Sequence, residues 1–285
     1  MNLTVFQVGE NVEVVFPKSE TFNLADTLDC GQAFRWEMTA DGAFHGVALG
    51  HYLKASQEGQ KLILHNTNFE EFESVWRGYF DLDREYGYIK NIISENGTLK
   101  RAAEFAGGIR VLRQDPWECL CSFIISQNNN IPRIKGIINR LCETFGEPIG
   151  EGFYSFPSAE RIAPLSLEDL APLRSGFRAK YILDAARRVA SGECDLEKIV
   201  KMKTEDARAE LTKIYGVGEK VADCVLLFSM ARVEVIPKDV WIKRVLSELF
   251  DGALPDFAAP YAGIAQQYLF HFARMTKLEI EEMKL

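Results

Sequence analysis

The chain has 285 residues, 47% hydrophobic and 26% charged, a composition that suits one large or two ordinary globular domains and excludes a disordered polymer. No apolar run approaches the roughly 20 residues of a membrane helix, and the opening Met1–Val5 has neither a basic start nor an apolar core. The expectation is a cytoplasmic protein without membrane partners, nucleoid-associated if prokaryotic. A net charge of −8 excludes a globally positive field for nucleic acid, but the acid is concentrated: residues 1–100 carry 15 acidic and 8 basic side chains, whereas residues 101–188 carry 10 and 12.

In chain order, residues 1–66 read as β. Val12, Val14 and Phe16 alternate with polar neighbours, as do Leu62 and Leu64, and glycines 42, 46, 50 and 59 punctuate the strands. Residues 67–106 turn helical, with Phe69, Phe72, Val75, Trp76 and Tyr79 at helical spacing. From about residue 110 the pattern is strongly α. The fold class expected is α+β: an N-terminal antiparallel sheet domain over residues 1–108, packed on an all-α body over residues 109–285.

One helix start is well signed: Asp115 as N-cap, Pro116 at the first helical position and Glu118 three after the cap. That helix runs to Asn128-Asn129-Asn130, after which Pro132 opens another with Ile134, Ile137, Ile138 and Leu141 on its apolar face. The six cysteines lie singly in apolar segments without a CxxC pair, so neither disulfides nor a zinc site is expected, and no cysteine follows Cys224 to build a C-terminal iron–sulfur loop.

The segment Leu211–Asp223, LTKIYGVGEKVAD, predicts a helix over about 207–214, a turn at Gly216 and Gly218, and a second helix from about Glu219, a hairpin spanning roughly 207–229. Two glycines permit a tight turn with positive φ. Such a turn presents backbone amides beside the positive end of a helix dipole, which holds a phosphate with little help from basic side chains. An ordinary helix corner has the same two glycines. The wider pattern LxxIxGVGxKVA resembles the helix-hairpin-helix module of DNA repair enzymes.

Lys220 falls in the first turn of the second helix, where a solvated lysine or phosphate contact is one reading and an activated amine another. Cys224, four residues on, shares its helix face, as core packing or as a pocket wall. Asp239, 19 residues after Lys220, is a good N-cap for a helix over 240–250, and a carboxylate there can also stabilise oxocarbenium-like charge. The order GVGxK followed by PxD resembles the helix-hairpin-helix/Gly-Pro-Asp glycosylase superfamily, and a lysine at this position resembles its bifunctional members.

Four further segments, GQAFRW at 31–36, QDPWECL at 114–120, SQNNNIPR at 126–133 and YAGIAQQYLF at 261–270, together with Gly176-Phe177-Arg178, resemble the 8-oxoguanine DNA glycosylase/AP lyase family along nearly the whole chain. The resemblance implies Lys220 as nucleophile and Asp239 as essential carboxylate. Gly31 would offer a carbonyl to the N7 hydrogen that marks the oxidised guanine. Gln266 and Phe270, spaced i, i+4, would bond and stack the flipped base, with Cys224 opposite. Asn128 would fill the vacated place in the duplex. Arg133 and Arg178 would donate to the widowed cytosine, Phe177 would wedge the stack, and Gly216 and Gly218 would contact phosphates.

It further implies a monomer acting on double-stranded DNA that contains oxidised guanine, with no required cofactor, no catalytic metal and at most a monovalent cation at the hairpin. A glycosylase for another damaged purine and a non-catalytic DNA-binding protein are the alternatives. Two positions depart from the family pattern: Trp241 stands where a phosphate-binding histidine is common, and Pro132 stiffens the asparagine loop. At the wedge, Phe177 replaces a tyrosine and lacks its hydroxyl.

Overall fold

The computed structural model describes residues 3–277 and 280–283; Met1 and Asn2 of the opening segment lie outside them. Six strands, β1 (Thr4–Val8), β2 (Asn11–Val15), β3 (Trp36–Met38), β4 (Phe44–Ala48), β5 (His51–Glu58) and β6 (Lys61–His65), form one antiparallel sheet in the order β1-β2-β6-β5-β4-β3. The alternation in β2 has its expected physical consequence: Val12 pairs with Leu64 and Val14 with Leu62, and all four are fully buried. The segment Phe69–Tyr79 lays Phe72, Trp76 and Tyr79 over that face, and the buried Trp36 indole donates to the Tyr79 hydroxyl at 2.7 Å.

The β reading of residues 1–66 misses one element. Leu24–Asp29 is a helix, N-capped by Asn23, whose side chain accepts from the Asp26 amide. At six residues it is too short to show a helical period. Leu24 and Leu28 sink into the sheet's core, while Cys30, just after it, belongs to the core of the helical body. The helix is thus a tie between the two cores.

Helices Tyr86–Ile93 and Gly97–Ala106 bury their apolar faces in the helical body's core, and the second packs along the Ala262–Thr276 helix. Asp115 caps Pro116–Ser126 as expected, accepting from the Glu118 amide at 2.8 Å. The Glu118 carboxylate does not return to the cap; it pairs with Arg35 at 3.3 Å across the domain junction. Burial raises the Glu118 carboxyl to about 7, against the opposing pull of Arg35.

Candidate active site and DNA-facing surface

The hairpin helices are Thr204–Leu211 and Glu219–Ser229, so the first ends three residues earlier than the 207–214 reading, with Thr212–Ile214 already turning. Only one of the two glycines uses positive φ. Gly216 sits at φ +81°, and a Cβ there would lie 2.4 Å from the Tyr181 ring. Gly218 is the extended N-cap, φ −95°, with open space where a side chain would be. Gly216 alone supplies the turn's positive φ, while the bare Gly218 leaves the approach to the turn open. Val221 and Ala222 make the first bonds back to the Gly218 carbonyl, so the amides ahead of them lack intrahelical acceptors.

Several contacts that hold this turn carry no motif in the sequence. The Tyr215 amide donates to Asp184 Oδ2 at 2.8 Å. Phe177, Tyr181 and Tyr215 form an edge-to-face ladder with centroids 5.7 and 4.9 Å apart, and the Lys180 ammonium lies 5.3 Å from both tyrosine rings. Phe177 is therefore mechanically joined to the hairpin. The only sequence signal for this is helical spacing of residues 177, 181 and 184.

Lys220, Cys224, Asp239, Gln266, Phe270 and Gly31 line one cleft, with Cys30, Phe123, Phe228, Pro237 and Gln267 completing its walls. The half-buried Lys220 places Nζ 5.3 Å from the Phe123 ring centroid, and that ring stacks on Phe228. Cys224 is buried, and desolvation pushes its thiol up to about 11 despite Lys220 beside it. It is a neutral, polarisable wall and not a thiolate.

Asp239 is the N-cap of Val240–Leu249, accepting from the Ile242 amide at 2.8 Å, and it faces the cleft from that position. Gln266 is buried, with its Oε1 lacking a hydrogen-bond partner. An orphaned buried acceptor is costly unless something fills it. Gly31 lies in a turn at φ +87°, directly after the short Leu24–Asp29 helix. Trp241, at the departing position, packs edge-on against Phe270 with centroids 5.7 Å apart. It supports the Phe270 ring without itself lining the cleft.

The asparagine run divides its labour. Asn130 caps Ile131–Phe145, placing Pro132 second in that helix, Asn129 donates to the Ile125 carbonyl at 3.0 Å, and Asn128 is exposed with φ +47°. Arg133 is exposed, and Phe177 is 48% exposed. Arg178 differs from expectation. It is buried and donates to the carbonyls of Gln127 (Nε, 2.9 Å), Ser175 (3.1 Å) and Asn128 (2.8 Å), with its guanidinium over the Phe177 ring. In this state its donors hold the asparagine loop and the Ser175 carbonyl.

Among the described residues no group of three or more histidine, cysteine or acidic side chains could hold a metal ion, and no helix is long and apolar enough to cross a membrane.

Residues 14–120 match the 8-oxoguanine DNA glycosylase N-terminal domain, and residues 121–252 match the HhH-GPD superfamily of base excision DNA repair proteins. The structure resembles that of MBOgg1 in complex with a low-affinity DNA ligand, with a TM-score of 0.91 and 44% identity over 98% of this chain and 100% of the other. It also resembles the Clostridium acetobutylicum 8-oxoguanine glycosylase/lyase in complex with double-stranded DNA containing cytosine opposite 8-oxoG, with a TM-score of 0.88 and 39% identity over 96% and 99%. An N-glycosylase/DNA lyase of Saccharomyces cerevisiae is 33% identical over 253 residues, 78% of this chain but only 66% of that protein's length. Two adjoining domain matches and a shared fold over the full described architecture place the chain in the 8-oxoguanine DNA glycosylase family, within the HhH-GPD superfamily.

Proposed function

We propose that the chain is a monomeric, bifunctional DNA glycosylase/AP lyase of base excision repair that flips 8-oxoguanine from a duplex, preferably opposite cytosine, and excises it through a lysine Schiff base. The observation that carries this reading is the convergence of Lys220, Asp239, Gln266 and Phe270, from three separate helices or their caps, on one cleft beside the hairpin.

In the proposed reaction the Lys220 amine attacks C1′. The C1′–N9 bond breaks, the base leaves with its electron pair and takes up a proton, and the amine sheds one. Opening of the sugar ring gives the Schiff base, from which loss of a C2′ proton and of the 3′ phosphate nicks the strand. Asp239 stabilises the positive charge that develops on the sugar. Because the lysine supplies the nucleophile, no redox cofactor or catalytic metal enters any step.

Phe270 stacks on the base, the orphaned Gln266 amide acceptor meets its Watson–Crick edge, and the neutral Cys224 thiol closes the opposite side. The Gly31 carbonyl accepts the lesion's N7 hydrogen. Normal guanine has no hydrogen there and leaves that acceptor unpaired, a difference of roughly 1–3 kcal/mol. On the DNA side, the Gly216–Gly218 turn meets backbone phosphates, Phe177 wedges the stack and Asn128 enters the vacated space. Arg133, exposed and with its side chain donating only to the Arg174 carbonyl at 3.4 Å, is the arginine available to read cytosine. Arg178 joins it only by releasing the Gln127 and Asn128 carbonyls, so its role in the unbound protein is to hold the loop that presents Asn128. The hairpin carbonyls are the proposed seat of a monovalent cation.

Borohydride trapping tests the reading. The intact protein should form a covalent adduct with a duplex containing 8-oxoguanine, and Lys220→Gln should bind the same duplex without trapping. No adduct from the intact protein would end the lysine mechanism and favour a DNA-binding protein.

A further inference from the structure

The Ala262–Thr276 helix presents two faces to two different tasks. Gln266 and Phe270 line the cleft, with Gln267 at the border between the two faces. Gln267, His271 and Arg274, spaced i, i+4, i+7, grip the short Leu24–Asp29 helix and the residue that follows it. Gln267 Nε2 donates to Cys30 Sγ at 3.5 Å. His271 Nε2 lies 3.2 Å from Asp26 Oδ1, and because a carboxylate only accepts, the imidazole donates. Arg274 donates to the Asp29 carbonyl at 2.8 Å and has the Asp29 carboxylate at 3.7 Å. Gly31 follows immediately.

Beyond Gly31 the chain is held just as firmly. The fully buried Gln32 amide donates to the carbonyls of Thr27 and Arg110 and accepts from the Leu112 amide, at 2.8–3.0 Å. Its backbone carbonyl accepts from Gln114 Nε2 at 2.7 Å, and the Gln114 backbone N–H donates to the Phe228 carbonyl in the Lys220 helix. Gly31 is therefore registered against Lys220's helix on one flank and against Phe270's helix on the other.

We propose that the Gln267–His271–Arg274 face is a clasp that sets the spacing between Gly31 and the Gln266/Phe270 wall, which makes His271 and Asp26 positioning residues for discrimination between oxidised and normal guanine. The inference rests on the reading of Gly31 given above. His271 hangs on one contact: it is 3% exposed, its Nδ1 has no partner and Phe105 packs 6.2 Å from its ring, so Asp26 is what anchors the imidazole. A single carbonyl-to-lesion hydrogen bond weakens steeply with displacement, and a wall that stacks the base must keep its distance from that carbonyl.

The test uses the full chain. In a Lys220→Gln background, affinities for matched duplexes bearing 8-oxoguanine or guanine opposite cytosine give a selectivity ratio. With Lys220 intact, nicking of a duplex with a preformed abasic site reports on the nucleophile without a base in the cleft. His271→Leu should lower the selectivity ratio about tenfold or more, as expected for a displaced buried hydrogen bond, while abasic-site nicking stays within about twofold. His271→Gln, which keeps a donor, should recover most of the ratio, and Asp26→Asn should reproduce the defect without emptying the core. An unchanged ratio in His271→Leu and Asp26→Asn overturns the clasp, as does a parallel loss of abasic nicking, which would mean general loosening. If the Lys220→Gln parent shows no preference for 8-oxoguanine, the base-recognition reading itself has failed and the clasp falls with it.

Discussion

Replacing each hairpin glycine by alanine should separate two costs that the motif alone cannot distinguish. At Gly216 the backbone is left-handed and the new Cβ would meet the Tyr181 ring at 2.4 Å. The left-handed conformation costs an alanine about 1–2 kcal/mol, and forcing a methyl into a packed ring adds about 1–3 kcal/mol. The sum, about 2–5 kcal/mol, is a large part of the roughly 5–15 kcal/mol that holds a domain folded. Gly218 has an ordinary extended φ and empty space around it, so alanine there should change stability by less than about 1 kcal/mol.

For DNA the order inverts. A methyl on Gly218 stands in the proposed path of a phosphate to the amides, and losing one charge-assisted bond of about 1.5–3 kcal/mol should lower affinity on the order of 10–100-fold. Urea unfolding gives the first quantity, and fluorescence anisotropy with a short duplex at fixed salt gives the second. Gly216→Ala as stable as the parent would refute the packing argument. Gly218→Ala that is stable and binds DNA normally would refute a phosphate contact at this turn.

Other outcomes follow from the same geometry. Asp239→Asn keeps a good N-cap, so stability should hold within about 0.5 kcal/mol while excision falls on the order of 10²–10⁴-fold; a stable, fully active variant excludes a catalytic carboxylate. Arg133→Ala should relax the preference for cytosine opposite the lesion while leaving nicking at a preformed abasic site intact, and unchanged selectivity in competition between opposite bases excludes that contact. Glu118 titrates near 7 in the folded protein against an ordinary 4.5, so the fold favours its protonated form. Its contribution is complete below about pH 4.5 and is lost as pH rises through 7. Unfolding midpoints measured from pH 5 to 8 should therefore fall for the parent relative to Glu118→Gln; parallel profiles would show that burial does not raise this carboxyl.

Much of this protein is local information. The alternation in Val12–Phe16, the Asp115-Pro116 helix start, the GVG turn and the Asp239 cap each depend on a few neighbouring residues, so periodicity and capping chemistry identify them without tertiary knowledge. Spacing along one helix likewise put Gln266 beside Phe270 and Lys220 beside Cys224. What sequence could not contain is any contact between residues distant along the chain. The Leu24–Asp29 helix is too short for a period, and the contacts that fix it come from residues some 240 positions away. Gly218 reads like Gly216, yet only the position of Tyr181 tells the backbone requirement of one from the open approach of the other. Arg178 looked like an exposed reader of bases, and three carbonyls from neighbouring loops claim it instead. Local propensity settles the elements long enough to show a period or a cap, whereas burial, partner choice and the gathering of Lys220, Asp239 and Phe270 in one cleft arise only when helices distant in sequence pack together.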